Sequence, residues 1–500
     1  MLRRTLWGLL AAVLLLAAVV AVNTARLGSR QLQVAPLPPL AVDAQAAAAS
    51  LAVAIRARTV SSLDDAAQNA DQFQALQAHL QARYPRVHAT LQREVVGGLS
   101  LLYTWPGSDK TALPMALMAH QDVVPIAPGT EKDWQADPFG GEIKGGYVWG
   151  RGAWDDKANL IAELEAVEAL LASGFQPRRT IHLVFGADEE VGGLRGAQQV
   201  AALLQQRGVK LEFVVDEGLL ITEGIMPGLK APAALVGVAE KGYLSVKLQA
   251  KATPGHSSMP PPPGSSAIAQ ISQALQALDS HQRPATVSGV AAQMFDTLAP
   301  EFDGFTKVAL GNRWLFGPVL QAQLEKGAST NAMMRTTTAL TVVAAGNKDN
   351  VLPGRAEAVV NFRLLPGDSQ AAVMDHVRRT INNPGIALSS LAGSAEPSRV
   401  ADTASPGYQA IQRSVRELFP GTVVAPGLML GATDARHFEP FTQQVFRFSP
   451  VKAKPEDLAR FHGTNERIAV DNLVDLIRFY HRLLQQTAGA PATPAPAAGR

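Results

Sequence analysis

The 500-residue sequence contains no cysteine. This excludes disulfides, thiolate zinc sites, iron–sulfur clusters and cysteine nucleophiles, and it leaves His, Asp and Glu as candidate metal ligands. An excess of one charge is also missing, because 45 basic side chains stand against 43 acidic ones and the net charge is +2. A nucleic-acid partner is therefore not expected, since such a protein carries a basic field. Glycine (42) and proline (33) are near ordinary usage, which excludes a collagen-like or broadly disordered chain.

A single long hydrophobic run lies at the N-terminus. Arg3 and Arg4 precede an apolar segment over residues 6–22, which is at the short end of what spans a bilayer. We predict a signal anchor over residues 1–25, with the body at the periplasmic or extracellular face of the membrane. A signal peptide that is cleaved to give a secreted protein is the alternative. The Pro/Ala-rich residues 26–50 are predicted to form an extended tether, and residues 487–500 a disordered tail.

The body between these flanks alternates short apolar strands with amphipathic helices, which is typical of an α/β fold. The pattern predicts a catalytic domain with a central sheet flanked by helices, in two parts at residues 51–240 and 398–486. A strand–helix–strand–strand–helix–strand order between them predicts a smaller α+β domain inserted at residues 241–397. Residues 284–331 fit no clean element, and we expect an extra loop or helical excursion there.

Polar side chains with metal-binding chemistry directly follow three of the predicted strands. In open α/β sheets, ligand and metal groups collect at the carboxyl ends of strands. The candidates after these strands are His120 with Asp122, Glu189 with Glu190, and Asp216.

Two further candidates lie ahead of helices, at the Asp155–Asp156 pair and at His462. Five of these positions would supply two imidazoles and three carboxylates, a set that suits zinc and also cobalt or manganese. Two divalent ions about 3.5 Å apart can share a bridging hydroxide, and a carboxylate outside the ligand set must then move its proton. The Glu189–Glu190 pair offers one ligand and one base. Each of these groups on its own could be an ordinary polar residue of a loop or a helix cap. Their common position after strands or before helices makes a chance occurrence of the whole pattern implausible.

Six motifs carry a family resemblance. They are MAHQDVVP at 118–125, WGRGAWDDK at 149–157, GADEEVGG at 186–193, VVDEG at 214–218, PGHSSMP at 254–260 and HGTNE at 462–466. In this order they resemble the dinuclear zinc peptidases that include carboxypeptidase S, aminoacylase-1 and glutamate carboxypeptidase. NFRLLPGD at 361–368 and GATDARHF at 431–438 look most like carboxypeptidase S and the N-fatty-acyl-amino-acid hydrolases. The resemblance implies a catalytic domain with a central mixed sheet and an inserted lid or dimerisation domain.

The same resemblance implies two zinc ions per subunit, with Co²⁺ or Mn²⁺ as substitutes. Asp155 is the implied bridge between the two metals, and its peptide bond to the next aspartate is expected to be cis. The other implied ligands are His120, Glu190, Asp216 and His462.

The implied catalytic residues lie beside these ligands and on the inserted domain. Glu189 is the implied general base and acid, and Asp122 is the carboxylate that orients the imidazole of a ligand. His256 is implied to stabilise the oxyanion, reaching the partner's active site in dimeric relatives. Arg363 is implied to bind the free carboxylate of the substrate. Gly431 is implied to offer a backbone group that binds the substrate.

Together these features imply a membrane-anchored metallo-carboxypeptidase that releases a C-terminal amino acid from a small peptide. A zinc-bridged hydroxide would attack the amide, with Glu189 as the base. The alternative is an aminoacylase-like hydrolase of N-acyl amino acids, including long-chain acyl substrates. An inactive binding relative would have lost a ligand or Glu189, and neither is lost. A homodimer through the inserted domain is left open.

Overall fold

The computed structural model describes residues 2–489, so most of the predicted disordered tail lies outside the described residues. The helices are α1 (Leu2–Ala25), α2 (Ala44–Arg56), α3 (Ala70–Arg83), α4 (Pro85–Thr90), α5 (Lys157–Ala172), α6 (Ala197–Gln206), α7 (Ala267–Ser280), α8 (Gly289–Leu298), α9 (Gly304–Gly311), α10 (Arg313–Leu324), α11 (Ala328–Met334), α12 (Gln370–Ile381), α13 (Pro406–Leu418) and α14 (Val470–Ala488). The strands are β1 (Gln92–Val96), β2 (Ser100–Trp105), β3 (Met115–His120), β4 (Glu142–Lys144), β5 (Tyr147–Trp149), β6 (Ile181–Gly186), β7 (Phe213–Thr222), β8 (Ala233–Glu240), β9 (Gly242–Lys251), β10 (Gly255–His256), β11 (Thr337–Ala345), β12 (Val351–Leu352), β13 (Arg355–Leu364), β14 (Ile386–Ser390), β15 (Val423–Met429), β16 (Val445–Ala453) and β17 (Arg467–Ala469).

The main sheet has eight strands in the order β1-β2-β6-β3-β7-β16-β8-β15. It is mixed, because β3 runs parallel to β6 and β7 while β2 runs antiparallel to β6. Successive side chains on β3 reach opposite faces: Leu117 packs in the core under α5 and α14, and Met118 packs in the core under α6. Burial on both faces explains why these strands read as continuous apolar runs.

A second, four-stranded antiparallel sheet has the order β11-β13-β9-β14. Helices α7 and α12 pack on one face of it and complete a separate hydrophobic cluster that includes Leu248, Ile271, Phe362 and Val373. The order of these elements along the chain is the predicted strand–helix–strand–strand–helix–strand.

Two of the points where the chain crosses between the two sheets are adjacent. The outgoing crossing is short, since β8 ends at Glu240 and β9 begins at Gly242. The return crossing runs beside it: the Glu240 N–H donates to the Ser398 hydroxyl (2.7 Å), and the Ser398 N–H donates to the Glu240 carbonyl (3.2 Å). A Cβ at Gly242 would come within 2.6 Å of the Pro397 nitrogen, so only glycine permits this approach.

Residues 284–331 form a helical excursion, which is one of the two alternatives predicted for this segment. Helices α8 to α11 account for most of it. The excursion packs on the main sheet, although it lies within the segment predicted to be the inserted domain. Its apolar residues, among them Met294 and Leu310, form a cluster with Ala233 of β8 and Val423 of β15.

The N-terminal segment contains one helix, α1, that is long and apolar enough to cross a membrane, and none of its residues is buried in the body. Residues 26–50 differ from the predicted tether, because α2 begins at Ala44 and buries Ala48 and Leu51 in the core. Asp43 caps α2 by accepting the Ala46 N–H (3.0 Å), and alanine is the best helix former. The tether therefore ends several residues earlier than predicted.

Candidate active site

Several of the predicted site residues lie at the carboxyl ends of the parallel strands of the main sheet. His120 is the last residue of β3, and Glu189 begins a short 3₁₀ turn three residues after β6 ends. Asp216 lies on the neighbouring strand β7. Because β3, β6 and β7 are parallel, their ends face the same edge of the sheet.

Asp155 lies between the two predicted histidine ligands. One carboxylate oxygen is 2.9 Å from His120 Nε2, and the other is 2.6 Å from His462 Nε2. Glu190 approaches the same His462 nitrogen at 3.4 Å, and its other oxygen is buried without a hydrogen-bond partner within the described residues. Four of the five predicted ligands are therefore together, with one carboxylate placed to face two imidazoles.

The remaining predicted ligand, Asp216, is not in contact with these histidines. Its two oxygens accept the backbone N–H groups of Glu217 (2.9 Å) and Ala435 (2.8 Å). Glu217 instead extends to 3.4 Å from His120 Nε2. Neighbouring residues of a strand point to opposite faces, so only one of the two carboxylates can turn towards His120. Of this pair, Glu217 rather than Asp216 approaches His120 in the structure.

Asp122 connects one histidine to the Glu189–Glu190 turn. Its carboxylate accepts the backbone N–H groups of Glu189 and Glu190, each at 3.1 Å, and the Ser61 hydroxyl at 2.7 Å. His120 Nδ1 is 3.0 Å from the Asp122 carbonyl oxygen and 3.4 Å from its carboxylate. These contacts place Asp122 beside the His120 ring and at the start of the Glu189 turn.

Glu466 fixes the loop that carries Asp155, a role that the sequence did not reveal. Its carboxylate accepts the backbone N–H groups of Trp154 (2.9 Å) and Asp155 (3.2 Å) and pairs with Arg151 (2.6 Å). Arg151 also donates to the His462 carbonyl at 3.1 Å. The signal was present in the HGTNE motif, where only the histidine was assigned. The peptide between Asp155 and the next aspartate is cis, as predicted.

Asp434 is a second functional candidate that sequence reasoning missed. It lies in the GATDARHF motif, is buried, and neither of its oxygens has a hydrogen-bond partner among residues 2–489. Burial raises the pKa of Asp434, and the nearby Asp216 and Asp122 carboxylates raise it further. At Gly193, whose φ is +68°, any side chain would collide with this carboxylate.

The other three predicted residues lie at the edges of this cluster or outside it. His256 is exposed on β10, where its Nδ1 is 2.8 Å from the Ser258 hydroxyl. No hydrogen bond or ion pair between described residues joins His256 to the cluster. Gly431 lies in the turn between β15 and the 3₁₀ helix Asp434–Phe441.

Arg363 lies on β13 of the second sheet and is partly buried. Its guanidinium lies over the Tyr243 ring, 4.8 Å from the ring centre. Burial lowers the pKa of Arg363, and the charge of Arg436 lowers it further. Arg436 in turn donates to the Gly192 carbonyl at 2.8 Å, within the turn that begins at Glu189. Arg363 is thus a partly buried cation whose charge interacts with that of Arg436.

The electrostatics of the cluster favour a bound cation. Burial, and then the charge of Asp155, raises the pKa of Glu217 from an ordinary 4.5 to about 8. Burial also raises the pKa values of Glu189 and Glu190. Hydrogen bonds to Asp155 and Glu190 raise the pKa of His462 to about 10. Two imidazoles among crowded buried carboxylates form a donor set that fits divalent metal ions.

We predict that the melting temperature of chelator-treated protein falls by several degrees between pH 5.5 and pH 8. The folded chain holds a proton on Glu217 up to about pH 8, whereas the unfolded chain loses it near 4.5. A raised folded-state pKa contributes stability at low pH that disappears as the pH rises through the folded value.

Differential scanning fluorimetry measures this slope, and two controls isolate its origin. Zinc-loaded protein should not show the fall, because a bound cation replaces the proton. Chelated Glu217→Gln protein should show a shallower slope. A wild-type melting temperature that is flat or rising across this window would contradict the prediction.

Comparison with known proteins agrees with this geometry. The model of "Peptidase family M20/M25/M40" matches residues 116–486. The chain is 42% identical to N-fatty-acyl-amino acid synthase/hydrolase PM20D1 of Xenopus tropicalis, over 87% of this chain and 84% of that protein. It is 37% identical to probable carboxypeptidase S-like 2 of Dictyostelium discoideum, over 93% and 91%.

The fold is also similar to that of solved structures. The M20 family metallo-carboxypeptidase Sso-CP2 from Sulfolobus solfataricus superposes with a TM-score of 0.65 at 17% identity, covering 89% of this chain and 99% of that one. Human carnosine dipeptidase 1 superposes with a TM-score of 0.60 at 16% identity, covering 91% and 100%. The family match and the identities above show that this chain belongs to peptidase family M20/M25/M40 and is a metal-dependent hydrolase.

Proposed function

We propose that this protein is a membrane-anchored hydrolase that uses two divalent metal ions to cleave the amide bond between an acyl group and an amino acid with a free carboxylate. Long-chain N-acyl amino acids are the proposed substrates. The observation that carries the proposal is the Asp155 carboxylate, which presents one oxygen to His120 and the other to His462. The relatives named N-fatty-acyl-amino acid synthase/hydrolase support the substrate class. Helix α1 supports the anchor.

Release of a C-terminal residue from a small peptide is the second candidate. The bond that breaks is chemically the same, and a relative named carboxypeptidase S-like 2 matches over nearly the whole chain. In both cases the product is an amino acid with a free carboxylate. Arg363 is proposed to bind that carboxylate, for which its planar guanidinium is suited.

The residues proposed to hold the metals divide around Asp155. His120 and Glu217 lie on one side of it, and Glu190 and His462 lie on the other. Zinc is the proposed ion in both positions, with cobalt or manganese as substitutes. When bound, such ions lower the pKa of water and polarise the scissile carbonyl.

Glu189 is proposed to transfer the proton. The side chain is partly buried in the cluster, and burial holds the pKa of Glu189 well above its ordinary range. Its backbone N–H is fixed by Asp122, whereas no ion pair between described residues ties its carboxylate to either histidine. The carboxylate can therefore take a proton from the attacking water and give it to the departing nitrogen. His256 is proposed to stabilise the oxyanion, from the partner subunit of a homodimer.

Replacing Glu189→Gln should lower kcat by about 10³-fold or more, because the amide cannot accept the proton. Zinc content, measured by mass spectrometry on the same preparation, should stay at the wild-type value, since Glu189 is not a proposed ligand. Glu357→Gln on the second sheet is the matched control and should behave like the wild type. Near wild-type turnover of the Glu189 variant would refute the role.

The zinc content of two variants should show whether Glu217 or Asp216 binds metal. We expect Glu217→Gln protein to bind about one zinc ion fewer per chain, because its carboxylate faces His120. Asp216→Asn should keep both ions, since its oxygens are engaged by backbone N–H groups. Zinc loss in the Asp216 variant alone would restore the ligand set predicted from the sequence.

A paired substrate panel tests the reaction itself. Full-length protein loaded with zinc should release leucine faster from N-oleoyl-leucine than from Cbz-Gly-Leu. Methylating the leucine carboxylate should raise KM for the wild type, because the Arg363 guanidinium no longer has a charged carboxylate to bind. It should not raise KM for Arg363→Met, because this variant has no guanidinium at that position. Faster peptide cleavage would establish the second candidate, and no cleavage of either substrate in the presence of zinc would overturn the proposed function.

A further inference from the structure

Helices α9 and α10 expose large apolar side chains to solvent. Phe305 is 66% exposed, Trp314 59% and Val319 64%. The opposite faces of these helices are also apolar, since Leu310 and Leu320 pack in the cluster beside β8 and β15. Helices of a soluble body normally present charged or polar residues outward. This outward apolar patch, here called the α9–α10 surface, marks an interaction site.

The α9–α10 surface lies beside the end of the apolar helix α1. Asn312, which joins α9 to α10, is fully buried. Its amide donates to the Thr24 hydroxyl (3.0 Å), and its carbonyl oxygen accepts from the Asn23 amide (3.1 Å). A Cβ on Gly311 would come within 2.5 Å of the Leu27 side chain, so glycine permits close packing there. The last turn of α1 is therefore fixed against the junction of the two helices.

This contact sets the depth of the surface relative to a bilayer. A helix of 24 residues is about 36 Å long, whereas a hydrocarbon core is about 30 Å thick. The last turn of a spanning α1 then lies at the boundary between acyl chains and headgroups. Helices packed against that turn lie at the same level, where a tryptophan such as Trp314 is favoured.

The charged residues around the α9–α10 surface also bear on its position at the acyl–headgroup boundary. Residues 304–324 contain two basic residues, Lys307 and Arg313, and no acidic one, but Asp303 and Glu325 flank this segment and Arg313 pairs with Asp296 (2.7 Å). Arg26 and Arg30 follow α1 directly. Basic residues around an apolar patch are typical of segments that lie in a membrane interface, where they meet anionic headgroups.

We propose that α9 and α10 form a second membrane contact, whose apolar side chains enter the acyl–headgroup boundary of the bilayer that α1 spans. The inference rests on the anchor part of the proposed function. The contact would hold the body against the membrane at two points. The helical excursion that contains α9 and α10 also contacts the start of the second sheet, because Lys241, two residues before Tyr243, donates to the carbonyls of Ala332 and Arg335 at the end of α11 (2.8 and 2.9 Å).

The absence of cysteine allows a direct test by labelling one position at a time. Full-length variants Phe305→Cys and Val319→Cys would carry a bimane fluorophore in vesicles of phosphatidylethanolamine and phosphatidylglycerol. Leu14→Cys in α1 reports the membrane interior. Leu63→Cys and Met259→Cys, exposed apolar positions elsewhere, report water. Quenching by lipids with a doxyl group on the acyl chain is compared with quenching by aqueous iodide.

Doxyl lipids should quench the labels at 305 and 319 strongly, as at 14, while iodide should quench those at 63 and 259. Iodide quenching at 305 and 319 equal to that at 63 would overturn the proposal. If the label at 14 is itself open to iodide, both the anchor and this contact are refuted. The readout needs no turnover, so a failure of the proposed hydrolysis would leave its result intact.

A kinetic comparison adds a second readout. The double variant Phe305→Ser, Val319→Ser should raise the apparent KM for vesicle-bound N-oleoyl-leucine by about 5-fold or more, because apolar contact with the interface is lost. The variant and the wild type should cleave water-soluble Cbz-Gly-Leu at the same rate, whether that rate is high or low. Equal changes for both substrates would indicate a folding defect and count against the proposal.

Discussion

A buried carboxylate held between two imidazoles, Asp155 between His120 and His462, is the constraint on which the rest of this site depends. Around it the fold crowds further carboxylates whose pKa values are raised by burial, and such a group of like charges is costly without a cation. The surrounding contacts fix these side chains in place. Glu466 holds the loop of Asp155 through two backbone N–H groups, and Asp122 does the same for the Glu189 turn.

Much of this site could be predicted from the sequence, because its residues follow strands that are buried on both faces and so have a clear apolar pattern. The prediction and the geometry differ at the Asp216–Glu217 pair. Strand alternation says that these two side chains diverge, but the apolar run before them does not say which one faces His120. Glu466 and Asp434 were also missed, since a carboxylate that binds backbone N–H groups or stays unpaired inside a fold has no distinctive sequence spacing.

Outside the site, composition was a weaker guide than packing. The alanine-rich residues after Asp43 have the low complexity of a linker, yet their small side chains allow α2 to fit closely against the core. Residues 284–331 were assigned to the inserted segment by their position in the chain. Their apolar side chains find partners on β8 and β15 instead. Long-range contacts of this kind depend on where the sheet edge lies in space, which a single sequence does not record.

The paired crossings between the two sheets have a mechanical consequence. The outgoing chain at Glu240 and the returning chain at Ser398 are hydrogen-bonded to each other, so these two connections hold the second sheet along one narrow line. The excursion α8–α11, which lies between α7 and β11 in the chain and packs on the main sheet, attaches the second sheet at another place. Two attachments resist bending about either one, so the side chains of the second sheet, Arg363 among them, would keep one position relative to the main sheet.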